Sequence, residues 1–303
     1  MWRTLQRFGN LVRLSHTLFG LPFALAAAAL ADRYAQSIGQ PGLDAARLGL
    51  IVLAFTGART AAMGFNRIVD RDIDALNPRT ANRELPRGAI SVTAAKLLTA
   101  LSAVVFLGSA VALGPWPATL ALPCLGIVLG YSYFKRFSWG CHLILGVALA
   151  LAPGGAWVAI VGDLSGWSVP TLMMAAVATW VAGFDVLYSL LDLDFDRDKS
   201  LHSIPARFGV RGSLIISAAL HVATVGLLVA LHAAADLGPW HAIGLTAIAI
   251  ILVYEHRIVR PSDLRAIDRA FFDLNGYVSL VYLGCALLAV YAPSWPWATL
   301  GWR

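Results

Sequence analysis

"ARLGLIVLAFTGARTAAMGFNRIVDRDIDALNPRTANRELPRG", residues 46–88, changes character at Asn66. The twenty residues before it carry only Arg47 and Arg59 as charges, and about twenty mainly apolar residues make one helical crossing of a bilayer. The 23 residues from Asn66 onward carry nine charges: Asp70, Asp72, Asp74 and Glu84 among Arg67, Arg71, Arg79, Arg83 and Arg87. A hydrocarbon interior does not solvate such a cluster. The stretch therefore reads as a transmembrane helix that delivers a charged group to a membrane surface.

The rest of the chain repeats the theme. Of 303 residues, 58% are hydrophobic and 13% charged, with a mean hydropathy of +0.71. A soluble chain carries about 25% charged residues, so too few are present to solvate a globular surface. Nine segments have the length and composition of a span, near 15–34, 46–65, 94–113, 117–134, 141–161, 169–190, 212–232, 238–256 and 272–292. "GPWP" (114–117), "GDLSGWS" (162–168) and "ADLGPW" (235–240) separate neighbouring spans, because proline and glycine end helices and make turns. The longest segments between spans, 66–92, 192–211 and 255–271, are too short for a soluble domain. The expectation is an all-α, multi-pass bundle of nine transmembrane helices with cytoplasmic cap loops, forming a single domain over 1–303. The opening residues resemble a signal peptide in composition. Trp2, Leu5, Phe8 and Leu11 recur at helical spacing, however, which favours an interfacial helix leading into a retained first span.

Charge placement gives an orientation. With nine spans, the N-terminus and the loops after spans 2, 4, 6 and 8 share one side and hold nineteen of the 23 Lys and Arg residues. That side is expected to be cytoplasmic. The net charge of +6 is scattered over short loops, which speaks for orientation in a lipid bilayer and against nucleic acid. Nothing in the sequence implies an obligate protein partner. Cys124, Cys141 and Cys285 lie in apolar runs without metal-ligand spacing and read as packing residues.

A second acidic cluster, "YSLLDLDFDRDKSLHSIPARFG" (188–209), follows span 6, four crossings after the first, so both emerge on one side. Asn66, Asp70 and Asp74 stand at i, i+4 and i+8, one face of a continuing helix, and Asp192 and Asp196 repeat the i, i+4 step within a motif over 192–198. Asp72 and Asp194 point roughly away. Seven residues earlier in each span lies another charge on the same face, Arg59 before Asn66 and Asp185 before Asp192. Ionised carboxylates ~5 Å apart repel by about 3 kcal/mol per pair at an effective dielectric near 20. Such a rim calls for divalent cations, and oxygen-only ligands suit Mg²⁺ shared with substrate phosphates. Arg79, Arg83, Arg87, Lys135, Arg136 and Arg207 would face the phosphate oxygens that the metals leave uncovered. A solvated loop laced with Asp–Arg pairs explains one cluster, but explains poorly two with matched spacing and sidedness.

These motifs resemble the UbiA superfamily of intramembrane aromatic prenyltransferases, whose signatures read N-D-x-x-D-x-x-x-D and D-x-x-x-D. Here they appear as Asn66-Arg67-Ile68-Val69-Asp70-Arg71-Asp72-Ile73-Asp74 and Asp192-Leu193-Asp194-Phe195-Asp196, with Arg67 in place of the second-position Asp. "NPRTANRELPRG" and "YSYFKRF" are similar to the family's loops after spans 2 and 4, and the nine expected spans match the family's architecture, so the resemblance covers essentially the whole chain. It implies a Mg²⁺-dependent polyprenyltransferase of quinone biosynthesis (ubiquinone or menaquinone), in a bacterial-type inner membrane with its site facing the cytoplasm. About two Mg²⁺ would be held by Asn66, Asp70, Asp74, Asp192 and Asp196, the four acids being catalytic. Arg79, Arg83, Lys135, Arg136, His202 and Arg207 would bind the polyprenyl diphosphate. His202 stands where some members have Lys.

The acceptor is less defined by the motifs. "RLSHTLFGLPFA" (13–24) departs from the opening typical of 4-hydroxybenzoate enzymes and is equally similar to a group acting on a dihydroxynaphthoate. Arg59 and Arg13 are the candidate anchors for the acceptor carboxylate, with Asp185, Tyr131 and Tyr188 beside them. Two bland readings stand next to these: Arg59 paired structurally with Asp185, and the tyrosines as packing. A homogentisate, haem or chlorophyllide acceptor is an alternative within the superfamily. An ion transporter is an alternative outside it, although its acids should lie near mid-membrane rather than at helix ends.

Overall fold

The structure is a computed structural model and describes residues 8–12, 17–261, 264 and 266–292. Among the described residues nine long helices run back and forth: α1 (Thr17–Ser37), α2 (Ala45–Val69), then, after the short α3 (Arg71–Leu76), α4 (Val92–Leu113), α5 (Pro115–Gly130), α6 (Cys141–Val161) and α7 (Ser168–Ser189). A short α8 (Leu193–Asp198) precedes α9 (Ile204–Ala235), α10 (Gly238–Ile258) and α11 (Asn275–Tyr291). A 3₁₀ turn, Tyr131–Arg136, extends α5, and a π-turn, Ala270–Leu274, leads into α11. Each of the nine expected spans falls on one long helix. Among the described residues, eight of these segments are long and apolar enough to cross a membrane. The exception is α1, which has the length but carries Asp32 and Arg33 in its last two turns. The protein is a multi-pass integral membrane protein.

Local sequence explains the ends. Asp44 and Ser91 accept from the third residue beyond them, as N-cap side chains do for α2 and α4. Pro115 opens α5 directly after Gly114, so the hairpin forms where the "GPWP" break predicts it. The seventh span begins earlier than expected, at Ile204, because α9 is two pieces joined at Gly209. There φ is 69° and ψ −176°, a conformation open to glycine and costly for other residues.

Packing positions α1 at the centre. Its Ala26, Ala27, Ala28 and Ala31 are fully buried, which lets neighbouring helices approach closely. Phe23 stacks on Tyr282 at 4.8 Å and lies against Trp180 at 5.0 Å, tying α1 to α11 and α7. Leu97, Leu101, Val104, Ile215 and Val222 instead point outward, as a lipid-facing surface requires. On the acidic side, Leu11 and Val12 are buried beneath the loop after α3, against Leu85, Ile90 and Ala95. This described part of the N-terminal segment is thus a core element rather than an interfacial one.

A close backbone approach joins α6 to α7. A methyl at Gly146 would run into the Ala178 carbonyl, a backbone atom that cannot move aside. Gly146→Ala is expected to destabilise by about 1–3 kcal/mol, the usual cost of overpacking. Gly226, with open space around it, is the control. Thermal unfolding in detergent should show a lower melting temperature for the first variant only; equal melting of both would refute this packing account.

Candidate active site

Both acidic motifs are built alike. α2 ends at Val69, Asp70 caps it with its N–H on the Asn66 carbonyl, and α3 restarts at Arg71 with Asp74 one turn on. The 3₁₀ turn Leu190–Asp192 ends α7 in the same way, and α8 restarts at Leu193 with Asp196 one turn on. The expected continuous helix through Asn66, Asp70 and Asp74 is therefore interrupted at Asp70. Arg136 explains the break: its Nη2 donates to the Val69 carbonyl (3.0 Å) and to Asp70 Oδ1 (2.9 Å), taking up backbone that a continuing helix would use. The one-turn spacing survives, because the Asp74 N–H donates to the Asp70 carbonyl at 2.7 Å. Asp72 and Asp194 are exposed, as expected.

Each inward carboxylate has a close cation partner. Asp70 takes Arg136 at 2.9 Å, Asp74 takes Arg83 at 2.7 Å, and Asp196 has Lys135 at 2.8 Å. The Arg79 guanidinium forks onto Asp192, its Nε donating to Oδ1 at 2.8 Å and its Nη2 to Oδ2. Asn66 donates to Asp70 (2.8 Å) and Asn77 to Asp192 (2.8 Å). The pairs interlace the segments: the loop after the first motif secures the second, and the 3₁₀ turn Tyr131–Arg136 supplies a cation to each. Arg67 is buried, 3.9 Å from Asp74, and its Nε donates to the Leu11 carbonyl. The substituted position in the first signature thus fastens the N-terminal segment to the site. Burial is the largest influence on Asp70 and pushes its carboxyl above the usual range; Arg136 pulls the other way and Asp74 adds to the rise.

These residues fit a divalent cation by their chemistry and by one unmet need. Asp196 is completely buried; its Oδ1 faces the Lys135 ammonium at 2.8 Å, and its Oδ2 has no hydrogen-bond partner. A buried carboxylate oxygen left without a partner costs free energy that a further cation would offset. The donors are all oxygens, which suits Mg²⁺. Among the described residues no three acidic, His or Cys side chains gather tightly enough to hold an ion alone, since each acid turns to its own arginine or lysine.

A cavity of about 570 Å³ opens beneath this rim. Asp70, Asp74 and Asp192 line its mouth with Arg79, Arg83, Lys135 and Arg136, whereas the fully buried Asp196 does not line it and meets the rim through Lys135. Arg59, Tyr131, Tyr188 and Asp185 line its middle, and Leu113, Pro117, Leu120 and Trp167 its far, apolar part. From Asn66 to Ile51 along α2 the lining runs roughly 22 Å.

Two expected phosphate contacts do not join the rim. His202 and Arg207 are exposed and do not line the cavity; Ser203 caps α9 between them, so this turn faces outward. Arg13 lies outside the described residues. Asp185 does not pair with Arg59: it accepts from His142 Nδ1 at 2.7 Å, while His142 Nε2 accepts the Ile204 N–H at 3.2 Å. Those two bonds fix the tautomer with the proton on Nδ1. Arg59 donates to the Val12 carbonyl at 3.0 Å. Sequence reasoning missed His142 and Asn77. A lone His at a helix start and an Asn before a proline carry no signal of a long-range partner.

Comparisons with known proteins place this fold among solved relatives. The model of the UbiA prenyltransferase family matches residues 20–281. A 4-hydroxybenzoate octaprenyltransferase of Marinobacter nauticus is 31% identical over 249 residues, 81% of this chain and 83% of that protein. The apo structure of a UbiA homologue from Aeropyrum pernix superposes with a TM-score of 0.81 at 36% identity, covering 90% of this chain and 97% of the other. A UbiA homologue from Archaeoglobus fulgidus, bound to GPP and Mg²⁺, shares the fold at a TM-score of 0.71 and 19% identity, over 94% and 99% of the two chains. A family model that covers most of the chain, with relatives 31% and 36% identical over most of their length, leads to one conclusion: the chain belongs to the UbiA prenyltransferase family.

Proposed function

We propose that this chain, acting as one domain, transfers a polyprenyl group from a polyprenyl diphosphate to a hydroxylated aromatic carboxylic acid, as a step of quinone biosynthesis. The observation that carries the reading is the ring of four acid–cation pairs above a long apolar cavity. In the reaction the allylic C–O bond breaks and pyrophosphate leaves. A ring carbon of the acceptor bonds to the allylic carbon, and its proton departs. Asn66, Asp70, Asp74, Asp192 and Asp196 would hold about two Mg²⁺, which supply electrostatic stabilisation of the leaving diphosphate. Arg79, Arg83, Lys135 and Arg136 bind its remaining oxygens, and the apolar cavity keeps the tail and the cation away from water. The excess of Lys and Arg on the motif side supports a cytoplasm-facing site in an inner membrane.

Acceptor selection falls to the middle of the cavity. The curated relatives named 4-hydroxybenzoate octaprenyltransferase support an aromatic acid, and Arg59 is its carboxylate partner in this reading. Arg59 lies seven residues, or ~10 Å of helix, below Asn66, which leaves room for one small ring. Asp185, oriented by His142, and Tyr131 border the same space. Arg59→Gln is expected to raise the acceptor KM at least tenfold and to leave the prenyl diphosphate KM nearly unchanged. Equal shifts in both constants would refute the anchor. The function itself is tested by supplying membranes with Mg²⁺, a polyprenyl diphosphate and 4-hydroxybenzoate or a dihydroxynaphthoate. The expected product has the summed mass less pyrophosphate; no prenylated ring with any aromatic acid would overturn the reading.

A further inference from the structure

Tyr188 lies four residues before Asp192, one turn nearer the cavity on the same face, ~6 Å along the helix. An allylic diphosphate held at the rim with its tail in the cavity places its reacting carbon at that level. The ring already carries a positive charge: the Arg79 guanidinium carbon lies 5.1 Å from its centroid, and Arg79 Nη1 donates to its hydroxyl at 3.0 Å. Phe271 is stacked against the ring at 4.0 Å, with 24° between planes, and Phe272 meets its edge at 6.2 Å. Phe184 and Phe19 in turn pack edge-on against Phe271 at 5.4 and 5.6 Å. Tyr188, Phe271, Phe184 and Phe19 all line the cavity.

The backbone that presents Phe271 is locked. It belongs to the π-turn Ala270–Leu274, a geometry that inserts one residue into a helix and recurs at functional sites. Asn275 is fully buried, and its amide donates to the carbonyls of Ala270 (3.0 Å) and Phe271 (3.3 Å). Its Oδ1 accepts the Trp180 indole N–H at 2.8 Å. An ordinary helix would need neither bond, so the chain spends a buried polar residue on holding this turn open.

We propose that the face of Tyr188, backed by Phe271, stabilises the allylic cation formed as the diphosphate leaves, with Asn275 as the positioning residue for the stack. The inference rests on the transfer reaction proposed above. When Arg79 turns to the phosphate oxygens, the vacated ring face is the nearest electron-rich surface that does not bond to the cation. A cation over such a face, out of water, gains about 2 kcal/mol, or roughly 30-fold in rate. The bonds made and broken are those of the transfer; the ring only lowers the barrier to ionisation.

The test replaces Tyr188 by phenylalanine and then by phenylalanines carrying one, two and three fluorines, which drain the π face at nearly constant size. Single-turnover rates of ring prenylation are expected to fall stepwise along the series, by about tenfold in all. The KM of the prenyl diphosphate should stay constant. Tyr188→Leu should lose about 30-fold, while Asn275→Ala should lose rate without altering the dependence on fluorine. A flat fluorine series, or a leucine variant as fast as the phenylalanine one, would overturn the inference and leave the transfer reaction intact. The same series placed at Phe271 gives a second reading, expected to be shallower; a slope there equal to zero with a flat series at Tyr188 rejects the whole stack. Failure of the wild type to prenylate any aromatic acid would sink the parent reading and this inference together.

Discussion

Asp192→Ala is expected to reduce prenyl transfer by about 10²–10³-fold while the protein still inserts and folds, the scale seen when one preorganised electrostatic partner is removed from a reaction centre. Asp192 anchors more than its proposed metal. It accepts from both Arg79 and Asn77, so its loss leaves the first motif's loop holding the second cluster through the Arg79–Tyr188 contact among the described residues. Asp192→Asn keeps the size and one acceptor oxygen but removes the charge. Both variants should therefore show low turnover, with alanine also loosening the loop. Size-exclusion profiles and melting curves check folding, and single-turnover assays at saturating substrate check chemistry. Activity within threefold of wild type for either variant would remove Asp192 from the catalytic set. Asp70→Ala should behave alike, because Asp70 holds the break in α2 through Arg136 and Asn66.

What the sequence reveals here is periodicity and composition. Twenty apolar residues must cross lipid, proline–glycine breaks must turn, and carboxylates at i and i+4 must share a helical face, so the spans and the inward set Asp70, Asp74, Asp192 and Asp196 are legible without coordinates. Long-range pairings are not. Nothing local marks Arg136 as the partner of Asp70, 66 residues away, or His142 as the partner of Asp185. The direct Arg59–Asp185 pair was suggested by their matched depth, but depth along two helices does not fix which faces meet. His202 and Arg207 follow the second motif closely in sequence, yet the turn into α9 carries them to the exposed side. The π-turn is equally invisible, because "AFFDL" has no feature that distinguishes a π-turn from an ordinary helical one.

Removing divalent metal is expected to abolish transfer and to weaken the binding of an unreactive polyprenyl diphosphate analogue by at least ~10²-fold, with Mg²⁺ or Mn²⁺ restoring both. The four acid–cation pairs explain why binding, and not only chemistry, should fail. Without metal, Arg79, Arg83, Lys135 and Arg136 are already matched one to one with Asp192, Asp74, Asp196 and Asp70. A diphosphate arriving there must pull the cations from their carboxylates, and each carboxylate so exposed repels it. At an effective dielectric near 20, a stranded charge ~5 Å from another like charge costs about 3 kcal/mol, so exposing even one suffices for the expected loss. With divalent ions held by the acids, the same four cations would be free for the phosphate oxygens, and a self-neutralised rim would become an anion site. Binding measured by displacement of a fluorescent analogue in EDTA, and then with added Mg²⁺, separates this account from one in which metal acts only on the leaving group. Unchanged affinity in EDTA with lost turnover would show that the arginines bind the diphosphate without help from the acids, and would refute the exchange of partners argued here.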